Sequence, residues 1–275
     1  MKNNILINHA DAFRCPLCGE AFAAKEQSFL CQKGHCFDVS SKGYVNFLTN
    51  PKRQPYEKFL FESRGRIFDS GFYDRAAEAV QNILTAYSSD TVCRFLDAGC
   101  GEGFYASFLT KDSQMDGFGL DVVKEAVTLA AKRSKNVKWM VADLAKIPLR
   151  NDSMNAVLNI LTPANYREFQ RVLSPQGILI KVVPGEDYLK EIRSAVSGQL
   201  NASRYKGGDI ISHFKKYAEI LKIQKSSATF SLTPEQRIDF LKMTPMTFHV
   251  DIQKAADFSE ITVDLDILVG RMKNI

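Results

Sequence analysis

Two things are scarce in this 275-residue chain: long apolar runs and, beyond its first third, cysteine. The longest apolar runs are strand-sized, such as 177–183, whereas crossing a bilayer takes roughly 20 residues, so no membrane partner is expected. Met1–Ala10 has neither a basic start nor an apolar stretch behind it, so no secretory signal is read and the protein is expected to be cytoplasmic. No internal repeat is visible. With 45% hydrophobic and 24% charged residues, disordered and collagen-like classes are excluded. All six cysteines precede residue 101, and four fall between Cys15 and Cys36, a clustering that in a cytosolic chain suggests metal before disulfide.

The net charge of +5 is unevenly spread. Residues 1–41 balance, while 42–66 carry Lys42, Lys52, Arg53, Lys58, Arg64 and Arg66 against Glu57 and Glu62. The plain reading is a solvated linker and helix face; the functional one is a segment that neutralises phosphates.

The pattern along the chain separates three segments: 1–50, a small zinc-binding and RNA-recognition domain; 51–88, a basic linker and helices; and 89–275, a catalytic domain. Residues 15–46 have no long period, as expected of a knuckle whose core is a metal. Helices are expected over 56–68 and 73–87. From residue 93 on, apolar runs (93–98, 117–121, 137–142, 156–161, 178–183) alternate with helical patterns (104–111, 123–133, 164–173, 188–196). Strands apolar on both faces, separated by helices, specify an α/β, doubly wound Rossmann-like sheet. The tail adds a helix near 211–221, an alternating stretch over 223–231, a helix over 234–241 and a final strand over 261–268.

Cys15-x2-Cys18, then Cys31-x3-His35, supplies three thiolates and an imidazole at structural-zinc spacing. Cys36 is a rival to His35, but adjacent residues normally point apart, so one of the two should bind and His35 is preferred. Four unrelated buried cysteines are the bland alternative.

Phe95 to Tyr105 places Asp97 and the glycines Gly99, Gly101 and Gly103 where a strand turns into a helix. Such a turn alone is shared with dinucleotide-binding folds. Here the third glycine falls at G-x-G-x-G, and Asp97 would repel a pyrophosphate but suits the ammonium of a methionine moiety. Asp121 closes the second strand, placed for ribose hydroxyls; Asp143 closes the third, placed for an adenine amino group with Leu144 against the ring. Each acid alone could be a helix cap, but three at successive strand ends point to S-adenosylmethionine.

The acceptor would be chosen near Asn159–Tyr166. The segment lacks the double proline of base amino-group methylation, and the absence of cysteine after Cys100 removes the nucleophile that pyrimidine C5 methylation needs. Ring nitrogens, hydroxyls and small-molecule acceptors remain.

Taken together, Cys-Pro-x-Cys, Cys-x3-His-x-Phe-Asp, Lys42-Gly43-Tyr44-Val45-Asn46 and Asp97-x-Gly-Cys-Gly-Glu-Gly resemble the RlmA family, zinc-containing 23S rRNA guanine-N1 methyltransferases. Matching stretches, including 163–184 and 243–245, run through nearly the whole chain. The resemblance implies structural zinc on Cys15, Cys18, Cys31 and His35, and cofactor contacts from Tyr73, 99–103 (Glu102 included), Asp121 and Asp143. Where the family has a histidine after the strand-five Pro-Gly, this chain offers Tyr188. Residues 162–166 and 171–173 look closer to the Gram-positive type II branch, whose members can confer macrolide resistance. It follows that a guanine of a 23S rRNA hairpin loop would meet Asn165 on its edge and Tyr166 on its face. A small-molecule methyltransferase would leave the zinc knuckle without purpose; a non-catalytic RNA-binding module would leave the three acids without one. Zinc modules also drive dimerisation, so a homodimer is a further use of the knuckle.

Overall fold

The computed structural model describes residues 5–49, 58–87, 92–197 and 207–273. After a short helix α1 (Ile5–Asn8), strands β1 (Phe22–Lys25), β2 (Ser28–Cys31) and β3 (Cys36–Asp38) form an antiparallel sheet with order β1-β2-β3. The knuckle is held by more than a metal. Phe13, Phe22, Phe29, Phe37 and Phe47 pack ring on ring at 5.0–6.0 Å, all buried, and aromatic pairs at such spacing add to the stabilisation from burial.

The remaining strands are β4 (Tyr44–Asn46), β5 (Cys93–Ala98), β6 (Met115–Asp121), β7 (Lys138–Val141), β8 (Met154–Ile160), β9 (Leu173–Pro184), β10 (Ala218–Ser231) and β11 (Glu260–Met272). They make one eight-stranded sheet, order β10-β11-β9-β8-β5-β6-β7-β4. Its faces are covered by α2 (Lys58–Asp69), α3 (Asp74–Tyr87), α4 (Phe104–Leu109), α5 (Lys124–Arg133), α6 (Tyr166–Val172), α7 (Lys190–Ala195), α8 (Gly207–Tyr217) and α9 (Pro234–Met243). Strands β4 to β9 run parallel and are apolar on both faces, the expected doubly wound pattern. The chain winds outward in both directions from β5, which puts the switch point of the sheet between β5 and its neighbours, where ligands bind at the carboxyl ends.

Three features differ from the expected layout. Tyr44–Asn46, read as part of the knuckle, joins the large sheet parallel to β7, with Val45 and Phe47 buried, and so covers what would otherwise be an exposed edge. The helix expected to 221 stops at Tyr217, because Ala218–Ile220 pair with Gly270–Met272 and β10 runs 14 residues. Finally, β11 lies antiparallel to both β9 and β10, so the tail hairpin closes a parallel sheet with an antiparallel edge.

Candidate active site and metal centre

A cavity of about 960 Å³ opens over the carboxyl ends of β5, β6, β8 and β9. Its wall brings together Tyr73, Asp97, Gly99, Glu102, Asp121, Asp143, Leu144 and Tyr188, residues spread over 115 positions of sequence. Gly101 and Gly103 serve the wall from behind. The Gly101 N–H donates to Asp121 Oδ2 at 2.9 Å. At Gly103, with φ +78, a Cβ would stand 2.5 Å from the Trp139 ring and 2.7 Å from Ala130, so α4 can lie this close to the sheet only with glycine there.

The polar groups of the wall are unevenly satisfied. Asp121 accepts from the backbone at both oxygens, Gly101 and Val123 N–H at 2.9 Å each. Asp143 is exposed and accepts from Ala145 N–H at 2.8 Å. By contrast Asp97 is buried, and its Oδ2 and the Tyr105 hydroxyl have no hydrogen-bond partner. Burial pushes the Asp97 carboxyl up to about 7, only partly offset by the Ala106 N–H. The Tyr73 and Tyr188 hydroxyls meet at 2.8 Å, and burial raises both phenols. A buried carboxylate with an unpartnered oxygen beside a glycine-rich turn suits a cation, and the α-ammonium of S-adenosylmethionine is one. The residues present fit that cofactor: Asp97 for the ammonium, Asp121 for ribose, Asp143 with Leu144 for adenine.

The structure does not bring Asn165 and Tyr166 to this wall. Asn165 caps α6, its side-chain oxygen accepting from Glu168 N–H at 3.2 Å. Tyr166 is buried, stacked on Tyr217 at 4.5 Å and 4°, with His213 edge-on at 5.5 Å, so its ring face is already covered. In their place Thr162, Pro163 and Lys181 line the cavity. Lys181 leaves one signal in the sequence: it is a lysine in the middle of the otherwise apolar 178–183 strand. It is buried, its Nζ donates to Asn159 Oδ1 at 2.5 Å, and burial lowers its ammonium to about 8. Met243 to Met246 and, on α2, Leu60, Phe61 and Arg64 complete the wall.

Arg64 and Arg66, expected to meet phosphates, are committed elsewhere. Arg64 grips Glu102 with Nε at 2.8 and 3.0 Å and a terminal nitrogen at 2.5 Å. Arg66 holds Asp239 of α9 in a two-point pair at 2.6 and 2.7 Å. Bidentate guanidinium–carboxylate pairs satisfy both partners, so these arginines fasten α2 over the cofactor wall and to α9. Lys52 and Arg53 lie outside the described residues, and Lys42 is exposed.

In the knuckle, Cys15, Cys18, Cys31 and His35 place their ligand atoms within 4.8 Å of one another. His35 Nδ1 stands 3.4 Å from both Cys15 and Cys31 Sγ, and Cys18 and Cys31 Sγ are 3.7 Å apart. A zinc tetrahedron with bonds of about 2.0–2.3 Å has edges of about 3.4–3.8 Å, so these three separations already have that length. Cys36 is exposed and turned toward Asp38, Sγ to Oδ1 3.9 Å, outside the cluster.

Two stretches of the chain match known families. Residues 13–53 match the profile "RlmA, N-terminal", a zinc ribbon, and residues 95–177 match "Methyltransferase domain". A Bacillus subtilis (strain 168) protein, provisionally named 23S rRNA (guanine-N(1)-)-methyltransferase, is 35% identical, the match covering 94% of this chain and 96% of that one. The 23S rRNA (guanine(748)-N(1))-methyltransferase of Streptomyces fradiae is 30% identical over the same shares.

Proposed function

The chain belongs to the RlmA family of 23S rRNA guanine-N1 methyltransferases, and from that premise we propose that it transfers the methyl of S-adenosylmethionine to N1 of one guanine in a 23S rRNA hairpin loop. The observation that carries this reading is the coexistence of two sites in one chain: a cavity with a buried carboxylate, Asp97, one of whose oxygens has no partner, and a pre-gathered Cys3His cluster. A small-molecule methyltransferase needs the first alone, a binding module the second.

When bound, S-adenosylmethionine supplies an electrophilic methyl on a positively charged sulfur. The protein's share is alignment and exclusion of water. Asp97 anchors the amino-acid end, Asp121 the ribose, and Asp143 with Leu144 the base, while Tyr73, Tyr188 and Tyr105 close the wall. Cys15, Cys18, Cys31 and His35 hold a structural zinc that fixes the knuckle, and segment 1–50 serves rRNA recognition. An rRNA-modifying role places the protein in the cytoplasm; among the described residues no helix is long and apolar enough to cross a membrane. If the chain acts as the type II branch does, the mark alters macrolide susceptibility.

Phosphate contact moves to a different face than 42–66. Arg14, Gly19, Ala21, Arg150 and Asn151 line a pocket of about 280 Å³ where the knuckle meets the catalytic domain. Arg14 and Arg171 both donate to Asn151 Oδ1, at 3.2 and 3.1 Å, and Arg150 to the Asp11 backbone carbonyl at 3.2 Å. Glu168 neutralises Arg171; among the described residues no carboxylate lies within 4.0 Å of Arg14 or Arg150, which leaves positive charge for an RNA backbone.

The test is incubation with methyl-labelled S-adenosylmethionine and 23S rRNA from a strain lacking the enzyme. Label at N1 of one guanine is the expected outcome; label on metabolites with none in RNA would replace the proposal with the small-molecule reading.

A further inference from the structure

Guanine N1 carries a proton, and its ring electron pair is delocalised, so methyl transfer requires that the N1–H bond break. None of the cofactor residues is free to take that proton. Asp97, Asp121 and Asp143 are placed for the cofactor, and Glu102 is bound by Arg64. The phenols of Tyr73, Tyr105 and Tyr188 are raised by burial and are poor proton acceptors.

Lys181 stands apart from all of these. It lies on β9 as the register partner of Asn159 on β8, at the strand ends where the acceptor base would enter. Asn159 Nδ2 donates to the Pro163 carbonyl at 3.0 Å, which turns Oδ1 toward Lys181 Nζ at 2.5 Å; the Thr162 carbonyl is 3.4 Å away. These two oxygens can take two N–H groups of the amine, and Lys181 also lines the cavity, where its third position can serve the acceptor base. This is the arrangement of a base held by an orienting partner.

Building on the guanine-N1 reading, we infer that Lys181, as the neutral amine, accepts the N1 proton, with Asn159 as its positioning residue. The N1–H bond breaks, and the proton goes to the Nζ lone pair. The electron pair left on N1 bonds to the methyl as the methyl–sulfur bond breaks with its pair kept by sulfur. The Lys181 ammonium then returns the proton to water.

The environment keeps the amine accessible near neutral pH. Around Lys181, β8 offers Asn159, the following turn the Thr162 carbonyl, and β11 Leu268 as register partner with Asp266 opposite Val183. The other charged groups on the cavity wall are Asp97, Glu102, Asp121, Asp143, Arg64 and Arg193. Among the described residues no carboxylate lies within 4.0 Å of its nitrogen, and burial is what lowers it. Enzymes tune lysine to this range for base catalysis.

The experiment is single-turnover methylation of a 23S rRNA fragment between pH 6 and 9.5, with Lys181→Met and Lys181→Gln beside the wild type. Zinc content, S-adenosylmethionine affinity and RNA affinity are measured on each. The inference expects a rate loss of about 10²–10⁴-fold in both variants, with affinities within about threefold of wild type. The wild-type rate rises with pH and levels off above about 8; the variant rates rise without that plateau as guanine ionises in solution. Variant rates within fivefold of wild type, or a plateau unchanged in the variants, overturn the role of Lys181. If both variants lose cofactor binding, the wild-type profile decides, and a flat one overturns it. A wild type that labels no guanine N1 defeats the underlying reading instead, so the two failures are distinct.

Discussion

Two aspartates at opposite ends of neighbouring strands show how the same side chain is used in two ways. Asp116, near the start of β6, is met by Lys138, by Arg94 Nε at 3.1 Å and by His9 Nε2 at 3.8 Å. Asp97, near the end of β5, is more deeply buried and has an oxygen with no partner. Burial opposes ionisation of both, but Lys138 and Arg94 hold Asp116 below its ordinary range while Asp97 rises to about 7. The satisfied end ties β7 and the residue after α1 to β6; the unsatisfied end awaits a ligand. Strongly perturbed groups of the second kind mark functional sites, and here that end is also the ligand-binding edge of an α/β sheet.

The comparison breaks most visibly if the carboxylate is removed at each end in turn. Asp116→Ala leaves Lys138, 2% exposed, as a buried cation without its carboxylate. A loss of about 3–5 kcal/mol in denaturant unfolding is expected, with cofactor affinity intact in whatever fraction folds. Asp97→Asn is expected to do the reverse: S-adenosylmethionine affinity by calorimetry falls about 100-fold, as when a charged hydrogen-bonding partner is removed, while the cofactor-free protein at pH 8 melts higher.

The pH dependence sharpens the contrast because the two signs are opposite. Asp97 binds its proton more tightly folded than unfolded, so its contribution to stability falls as pH rises from about 4 to about 7. Asp116 is depressed in the folded protein, so its contribution is present at neutral pH and lost as pH falls below about 4. Cofactor affinity is accordingly expected to weaken about tenfold per unit below pH 7 in the wild type, and a pH-independent affinity between 5 and 7 would remove Asp97 from the ammonium site.

Much of this was readable in advance, and the exceptions have physical causes. The parallel strands, the glycine turn, the three strand-end acids and the Cys3His set all carry local signals: periodicity, spacing, turn chemistry. Arg64 and Arg66 were misjudged because composition counts charge without showing which carboxylate, Glu102 or Asp239, lies 38 or 173 positions away. Tyr166 was misjudged because its partner Tyr217 sits on a helix of the tail. Likewise β4 is three residues long, too short for a period, and only its register against β7 reveals it. Lys181 did leave a trace, a charge inside an apolar strand, but its meaning depends on Asn159 beside it.

The smallest expected effect separates the Arg14 and Arg150 pair from Arg66. Arg14→Ala with Arg150→Ala should lower the slope of log affinity for RNA against log salt by about 2, with zinc and cofactor binding kept. Arg66→Ala, which frees Asp239 instead, should destabilise the protein and leave that slope unchanged. Equal slopes in the wild type and the Arg14/Arg150 variant would dismiss the pocket at the knuckle as the phosphate site.

Methylation at N1 blocks the Watson–Crick edge of guanine, so primer extension on 23S rRNA reads it as a stop. RNA from cells with the gene intact, deleted and restored as Asp97→Asn is the most direct comparison. One stop at a hairpin-loop guanine, present with the intact gene and absent from both other strains, is the predicted result; identical patterns in all three would contradict the account.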